Sequence, residues 1–112
     1  MKVLFISDTS AIPQLIDIKN GKPDKYYLIN DAPISTHRKH IAGRLYEIEA
    51  GFGAKRRPTA YDSNFSTVFM GNIIIKNIDG DITAEDLAHI SKNIKVMSSA
   101  WITWTSVINV DP

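Results

Sequence analysis

Between Phe65 and Ile78 the chain carries two apolar, β-branched runs, Phe65-Ser66-Thr67-Val68-Phe69-Met70 and Ile73-Ile74-Ile75-Lys76-Asn77-Ile78, separated only by Gly71-Asn72. Branching at Cβ stiffens the side chain and suits a pleated, half-buried surface, so both runs read as strands. The two-residue Gly-Asn joint favours a tight hairpin. Apolar side chains fall on both faces: Val68, Met70, Ile73 and Ile75 on one, Phe65, Phe69, Ile74 and Ile78 on the other. The hairpin is therefore expected at the centre of a sheet, with both faces covered. The excess of isoleucine, 17 against 5 leucines, leans the chain further toward sheet.

The remaining segments are read around this one. Lys2 to Ile6 forms a first strand. Leu15-Ile16-Asp17-Ile18-Lys19 and Lys25-Tyr26-Tyr27-Leu28-Ile29 flank the turn signals of Asn20-Gly21-Lys22-Pro23-Asp24 as a second hairpin, with Ile16 and Ile18 toward the core. Ser35 or Thr36 is expected to cap a helix running to about Ala50, with Ile41, Leu45 and Ile48 as its apolar stripe and Gly51 at its end. Phe52 to Asn64 reads as a loop. Thr83 is placed to cap a second helix, with Glu85 and Asp86 in its first turn, Leu87, Ile90 and Ile94 as its buried face, and Asp86 and His89 toward solvent. A last strand is expected from about Ala100 to Val110. The expectation is a single compact α+β domain over residues 1–112. It has a mostly antiparallel sheet of about five to six strands and two helices, in the order β-ββ-α-ββ-α-β.

Composition removes several chemistries. The chain has no cysteine, which excludes disulfides, thiolate nucleophiles and cysteine-ligated metal centres. Its formal net charge is +1, too small for a general affinity for polyanions, so such a partner must be held by a local patch. The opening apolar run, Val3-Leu4-Phe5-Ile6, is too short for an export signal or a membrane span. No membrane partner is expected, and the expected location is the cytoplasm.

One local patch stands out. His37, Arg38, Lys39, His40, Arg44, Lys55, Arg56 and Arg57 place eight potential cations within 21 positions. If residues 36–50 are helical, the charges run against the dipole: His37, Arg38 and Lys39 crowd the positive end, Glu47 and Glu49 the negative end. Either the segment is not wholly helical or a bound anion holds those cations there. A phosphate group fits a helix start ringed by guanidinium groups. His37, Arg38, Lys39 and the Lys55-Arg56-Arg57 segment are expected to meet around that anion, with Ser10 a further ligand-binding candidate. His37 and His40 are candidates for proton transfer, His37 foremost. They lack the third ligand of a metal motif, and no metal or cofactor is expected.

Three resemblances are local. Met1-Lys2-Val3-Leu4-Phe5-Ile6-Ser7-Asp8-Thr9-Ser10 is similar to the first strand of calcineurin-like metallophosphoesterases, but Ser10 stands where that family has histidine, and the family's later motifs are missing. Asn72–Asp86 resembles the first strand and helix of an RNA-recognition motif, without its aromatic positions or enough following chain. In element order the sequence resembles the small viral ring nucleases, which cleave cyclic oligoadenylates without metal. Ser10, His37, Arg57 and Ile82-Thr83-Ala84-Glu85-Asp86-Leu87 stand at comparable places, while the family's Gly-His and Asn-Arg pairs are absent. That resemblance implies a catalytic role for His37.

Two functions from different classes follow. In the first, the domain binds a phosphate-bearing ligand, nucleotide or nucleic acid, through the basic cluster. In the second, it is a protein-interaction module, an inhibitor or adaptor, whose partner is another protein. A metal-independent ring nuclease is a lesser alternative.

Overall fold

A computed structural model describes residues 1–7, 12–18, 34–51, 58–64, 66–99 and 102–111. Among them the chain forms β1 (Lys2–Ile6), β2 (Gln14–Asp17), β3 (Ile34–Ile41), β4 (Arg44–Gly51), β5 (Pro58–Asp62), β6 (Val68–Asn77), α1 (Ala84–Lys92), β7 (Ile94–Ser99) and β8 (Ile102–Ile108). All eight strands belong to one sheet, which curls into a half-barrel. This corrects the α+β reading. The fold is mostly β, with one helix among the described residues and more strands than the five or six expected. It also contains a parallel pair, β5 with β8.

The largest correction lies in residues 34–51. They are not a helix but an antiparallel hairpin, β3 with β4, in register from Ile34 opposite Gly51 to Ile41 opposite Arg44. Burial alternates along it: Tyr46, Ile48 and Ala50 are buried, while Leu45, Glu47 and Glu49 between them are less so. Period two places every second residue on one face, so Tyr46, Ile48 and Ala50 line the core together. The turn Ala42-Gly43 has positive φ at both residues, 46° and 87°, as a tight hairpin of matching twist requires. The anomalous helix charges disappear with the helix. Glu47 and Glu49 flank Lys76 of β6 at 3.5 and 2.6 Å, and Arg38 lies 3.7 Å from Glu47.

The expected hairpin at Gly71-Asn72 is also replaced. Val68–Asn77 is one continuous strand, internal to the sheet as its apolar faces demand. Ile73, Ile74 and Ile75 each have a partner on both sides: Ile6, Phe5 and Leu4 of β1, and Ala50, Glu49 and Ile48 of β4. Gly71 does take the positive φ, 68°, that a Gly-Asn joint promises. It uses it in an irregularity of the ladder, where β4 passes from Ala50 opposite Ile73 to Gly51 opposite Met70. Beyond it, Met70, Phe69 and Val68 pair with β5. Phe69, Ile74 and Ile75 are buried as expected, but Val68 is 40% exposed.

Residues 58–62, read as loop, form β5 between β6 and β8. The expected final strand is β8; β7, not expected and taking Ile94 from the expected helix face, pairs with it antiparallel. β1 forms where expected, and β2 pairs antiparallel with β1, leaving Ile18 buried. The proposed partner at Lys25–Ile29 lies outside the described residues. No helix among the described residues is long and apolar enough to cross a membrane.

The core fills the concave side. Leu4, Ile6, Ile41, Tyr46, Ile48, Phe69, Ile73, Ile75 and Ile108 form one buried cluster, closed by Ile82 and Ile90. α1 begins at Thr83, as expected. The Thr83 hydroxyl accepts from the Asp86 N–H, and the Asp86 carboxylate accepts from the Thr83 N–H, a reciprocal capping box. Hydrogen bonds from Lys2 N–H to Asp81 and from Ile82 N–H to Lys2 O tie the helix entry to β1. The helix therefore covers one end of the concave face. The same face also carries polar side chains from β3, β5 and β8.

Candidate functional site

β3 supplies the first of these polar residues. Ser35, His37, Lys39 and Ile41 point inward, while Thr36, Arg38 and His40 point outward and are exposed. The inward residues lie opposite Ala50, Ile48, Tyr46 and Arg44 of β4. The curl of the sheet brings them against strands to which they are not paired. The His37 ring meets Phe69 of β6 edge-on, with centroids 5.7 Å apart. Lys39 Nζ lies 3.3 Å from Asp62 Oδ2 of β5.

Asp62 is the most constrained group of the site. Its side chain is fully buried. It accepts hydrogen bonds from the Ser66 hydroxyl and from the Ser66 and Thr67 N–H groups, closing the turn between β5 and β6. Burial pushes its carboxyl up. The bonds from Ser66 and Thr67, together with Lys39, outweigh that and hold it below the ordinary carboxylate value. The pKa of His37 moves down instead, chiefly through burial and secondarily through the Lys39 cation, against an opposing pull from Asp62. At neutral pH the imidazole is therefore uncharged, with one nitrogen free to accept a proton and the other able to donate a hydrogen bond.

β8 contributes a further polar group. Ser106 lies opposite Ala60 of β5, and Ala60 opposite Phe69. Ser106 is fully buried, and its hydroxyl has no hydrogen-bond partner among the described residues. Leaving such a group unsatisfied costs about 1–3 kcal/mol. His37, Phe69, Ala60 and Ser106 thus form an arc across the concave face, with the Lys39–Asp62 pair beside it.

The basic cluster read from the sequence is divided by this fold. His37 and Lys39 share the concave face; Arg38 and His40 are on the opposite face. Arg44 is drawn to the helix, 3.1 Å from both Glu85 and Asp86. The free N–H groups of a helix start, expected beside these cations, are not there because the segment is a strand. Ser10, Lys55, Arg56 and Arg57 lie outside the described residues. Asp62 and Ser106 carried no sequence signal as site residues: Asp62 opens the ordinary polar run Asp62-Ser63-Asn64, Ser106 follows Thr105, and neither belongs to a motif.

A second polar centre surrounds Asp86, which the sequence placed in solvent. It is buried because it accepts from Arg44 and Tyr46 on one oxygen and from Asn77 and both Thr83 donors on the other. Burial pushes its carboxyl up, but the bonds from Thr83, Tyr46 and Arg44 prevail and lower it. Burial and the Asp86 carboxylate together push the Tyr46 phenol up to about 12. His89, also expected in solvent, reaches Ile41 O at 2.9 Å. An open groove of about 510 Å³ adjoins this centre, lined by Arg44, Asn77, Thr83 and Glu85 among others. Its buried carboxylate is already saturated by the fold, so the centre reads as structural.

Among the described residues, no group of three or more histidines and carboxylates is arranged to hold a metal ion. No protein-family model, curated protein or solved structure matches the chain.

Proposed function

We propose that the protein binds a phosphate-bearing ligand, a nucleotide or nucleic acid, on the concave face at His37. One relationship carries the reading. The Phe69 ring meets His37, and the next residue, Met70, is paired with both Gly51 and Pro58. Those are the two points between which the chain runs through Lys55-Arg56-Arg57. The two described residues that flank this basic segment in the sequence thus pair with the residue next to Phe69, whose ring meets His37. Guanidinium groups recognise phosphate oxygens through paired hydrogen bonds, and a neutral imidazole adds a donor or accepts a proton from an attacking hydroxyl.

The test is titration with adenosine 5′-monophosphate and a short oligonucleotide at two salt concentrations. Binding is expected to weaken as salt rises. Replacing Arg56 and Arg57 together by Ala should lower affinity and leave the melting temperature nearly unchanged. No binding at low salt, or an affinity that ignores both salt and the double substitution, overturns the reading. If the site also turns substrate over, His37→Gln should reduce turnover more than binding.

A protein-interaction role has its own support at the sheet's edge. Among the described strands β7 ends the sheet beyond β8, and its Val96 is 45% exposed. An edge strand offers unpaired backbone groups to an incoming strand. Pull-down that persists in the double arginine variant but is lost on Val96→Lys favours this second reading.

A further inference from the structure

The two faces of β7 differ in chemistry. Ile94 lies opposite Ile108 and packs against the core, and Val96 lies opposite the buried Ser106. Strand alternation therefore turns Ile94 and Val96 toward the concave face, and Lys95, opposite Val107, toward the outer face. Cover on the concave side runs out along this edge: Ile94 is partly buried, whereas Val96 is 45% exposed. On the outer side Lys95, Val107 and Asn109 line a cleft of about 230 Å³ together with Lys92, from the last turn of α1. Lys92 and Lys95 are both exposed, and neither forms an ion pair among the described residues. Nor is a carboxylate close to them in sequence: from Leu87 to Val110 there is no aspartate or glutamate.

We infer that the edge of β7 receives an extended, acidic segment of a partner protein, in which carboxylates alternate with apolar side chains. The inference rests on the interaction reading given above for this edge. An added strand pairs with the backbone groups that an edge strand turns outward. Period two then fixes what that strand must carry. Its residue opposite Lys95 projects onto the outer face, where a carboxylate meets Lys95 with Lys92 beside the same cleft. The next residue along projects onto the concave face, where an apolar side chain covers Val96 and extends the core. A second copy of β7 does not satisfy this edge: self-pairing brings lysines of both copies together, and like charges across strands repel. A nucleic-acid strand neutralises the lysines but leaves Val96 and the outward backbone groups without partners.

Two short synthetic peptides test this, one alternating Glu with Val and the other Lys with Val. Each is titrated into the full chain and followed through the backbone amide resonances. The Glu–Val peptide is expected to bind, to shift the amides of β7 and not those of β2 at the other end of the sheet, and to weaken as salt rises. The Lys–Val peptide is expected not to bind. Lys92→Glu with Lys95→Glu should weaken the Glu–Val peptide about tenfold and confer binding of the Lys–Val peptide. Both side chains are exposed, so the melting temperature should stay nearly level. If the charge exchange unfolds the chain, Lys92→Gln with Lys95→Gln takes its place and should weaken the Glu–Val peptide alone. Equal binding of the two peptides, lost on Val96→Lys, overturns the acidic partner and leaves the edge reading standing. Affinity for the Glu–Val peptide that ignores both lysine substitutions does the same. If neither peptide shifts the amides of β7, both fall.

Discussion

Lys39 and Asp62 meet across the concave face, Nζ to Oδ2 3.3 Å apart, although β3 and β5 are separated in the sheet by β4 and β6. In a flat sheet, strands three places apart lie roughly 14 Å from one another. The pair therefore both requires the curl and helps to fix it.

Removing one partner exposes that role. Asp62→Ala strands the N–H groups of Ser66 and Thr67 as well as the Lys39 ammonium, and should destabilise by about 3–5 kcal/mol. Lys39→Met leaves the carboxylate its three other donors and should cost less, about 1–3 kcal/mol. Urea denaturation of both single variants and the double variant checks this. Because the two side chains share one interaction, the double variant should lose less than the sum of the singles.

The capping box makes a graded series. Thr83→Ala removes the cap hydroxyl and should cost about 0.5–2 kcal/mol. Tyr46→Phe deletes one of the donors to Asp86 and should cost about 0.5–1.5 kcal/mol. Asp86→Ala strands every donor at once and should exceed both. A denaturation midpoint for Asp86→Ala no lower than that of Thr83→Ala contradicts the placement of this carboxylate at the junction of helix and sheet.

Ala42 occupies a left-handed conformation, φ 46°, that a side chain bearing Cβ adopts at a cost. Ala42→Asn or Ala42→Gly should raise stability by about 0.5–1 kcal/mol. Gly43→Ala should lower it: a Cβ there meets nothing within 4 Å, but φ is +87°. Thermal melts of the three variants decide whether this two-residue turn governs the hairpin.

Stability should fall with acid in two stages. The unfolded chain protonates histidine near its ordinary value of 6.5, whereas burial and Lys39 make folded His37 resist. The unfolded state therefore binds more protons below that value, and stability declines as pH drops from 6.5 toward the lowered folded pKa. Asp62 and Asp86 are lowered in the fold from 3.8, so their contribution is whole above 3.8 and is lost as pH falls below it. His37→Gln should abolish the first decline and keep the second. Denaturation midpoints at neutral pH, about pH 5 and about pH 3 test this.

Local chemistry settles those features that a few neighbouring residues decide together. The Thr83 cap with Asp86 three positions on, the strand at Lys2–Ile6, and the doubly apolar run that makes β6 internal all follow from local chemistry. The positive φ at Gly71 was legible too, but not its use, because a hairpin turn and a ladder irregularity make the same demand on that glycine. Residues 34–51 satisfied two periods at once: Ile41, Leu45 and Ile48 suit a helix, while Tyr46, Ile48 and Ala50 suit a strand. Tertiary structure chose between them, since β4 gains pairing to β6 along its length and a sink for Glu47 and Glu49 in Lys76. The candidate site was legible at His37 and Lys39 and invisible at Asp62 and Ser106. Those two acquire meaning only when a curled sheet brings strands distant in sequence face to face, and no local pattern encodes which side chain will lie across a concave face from another.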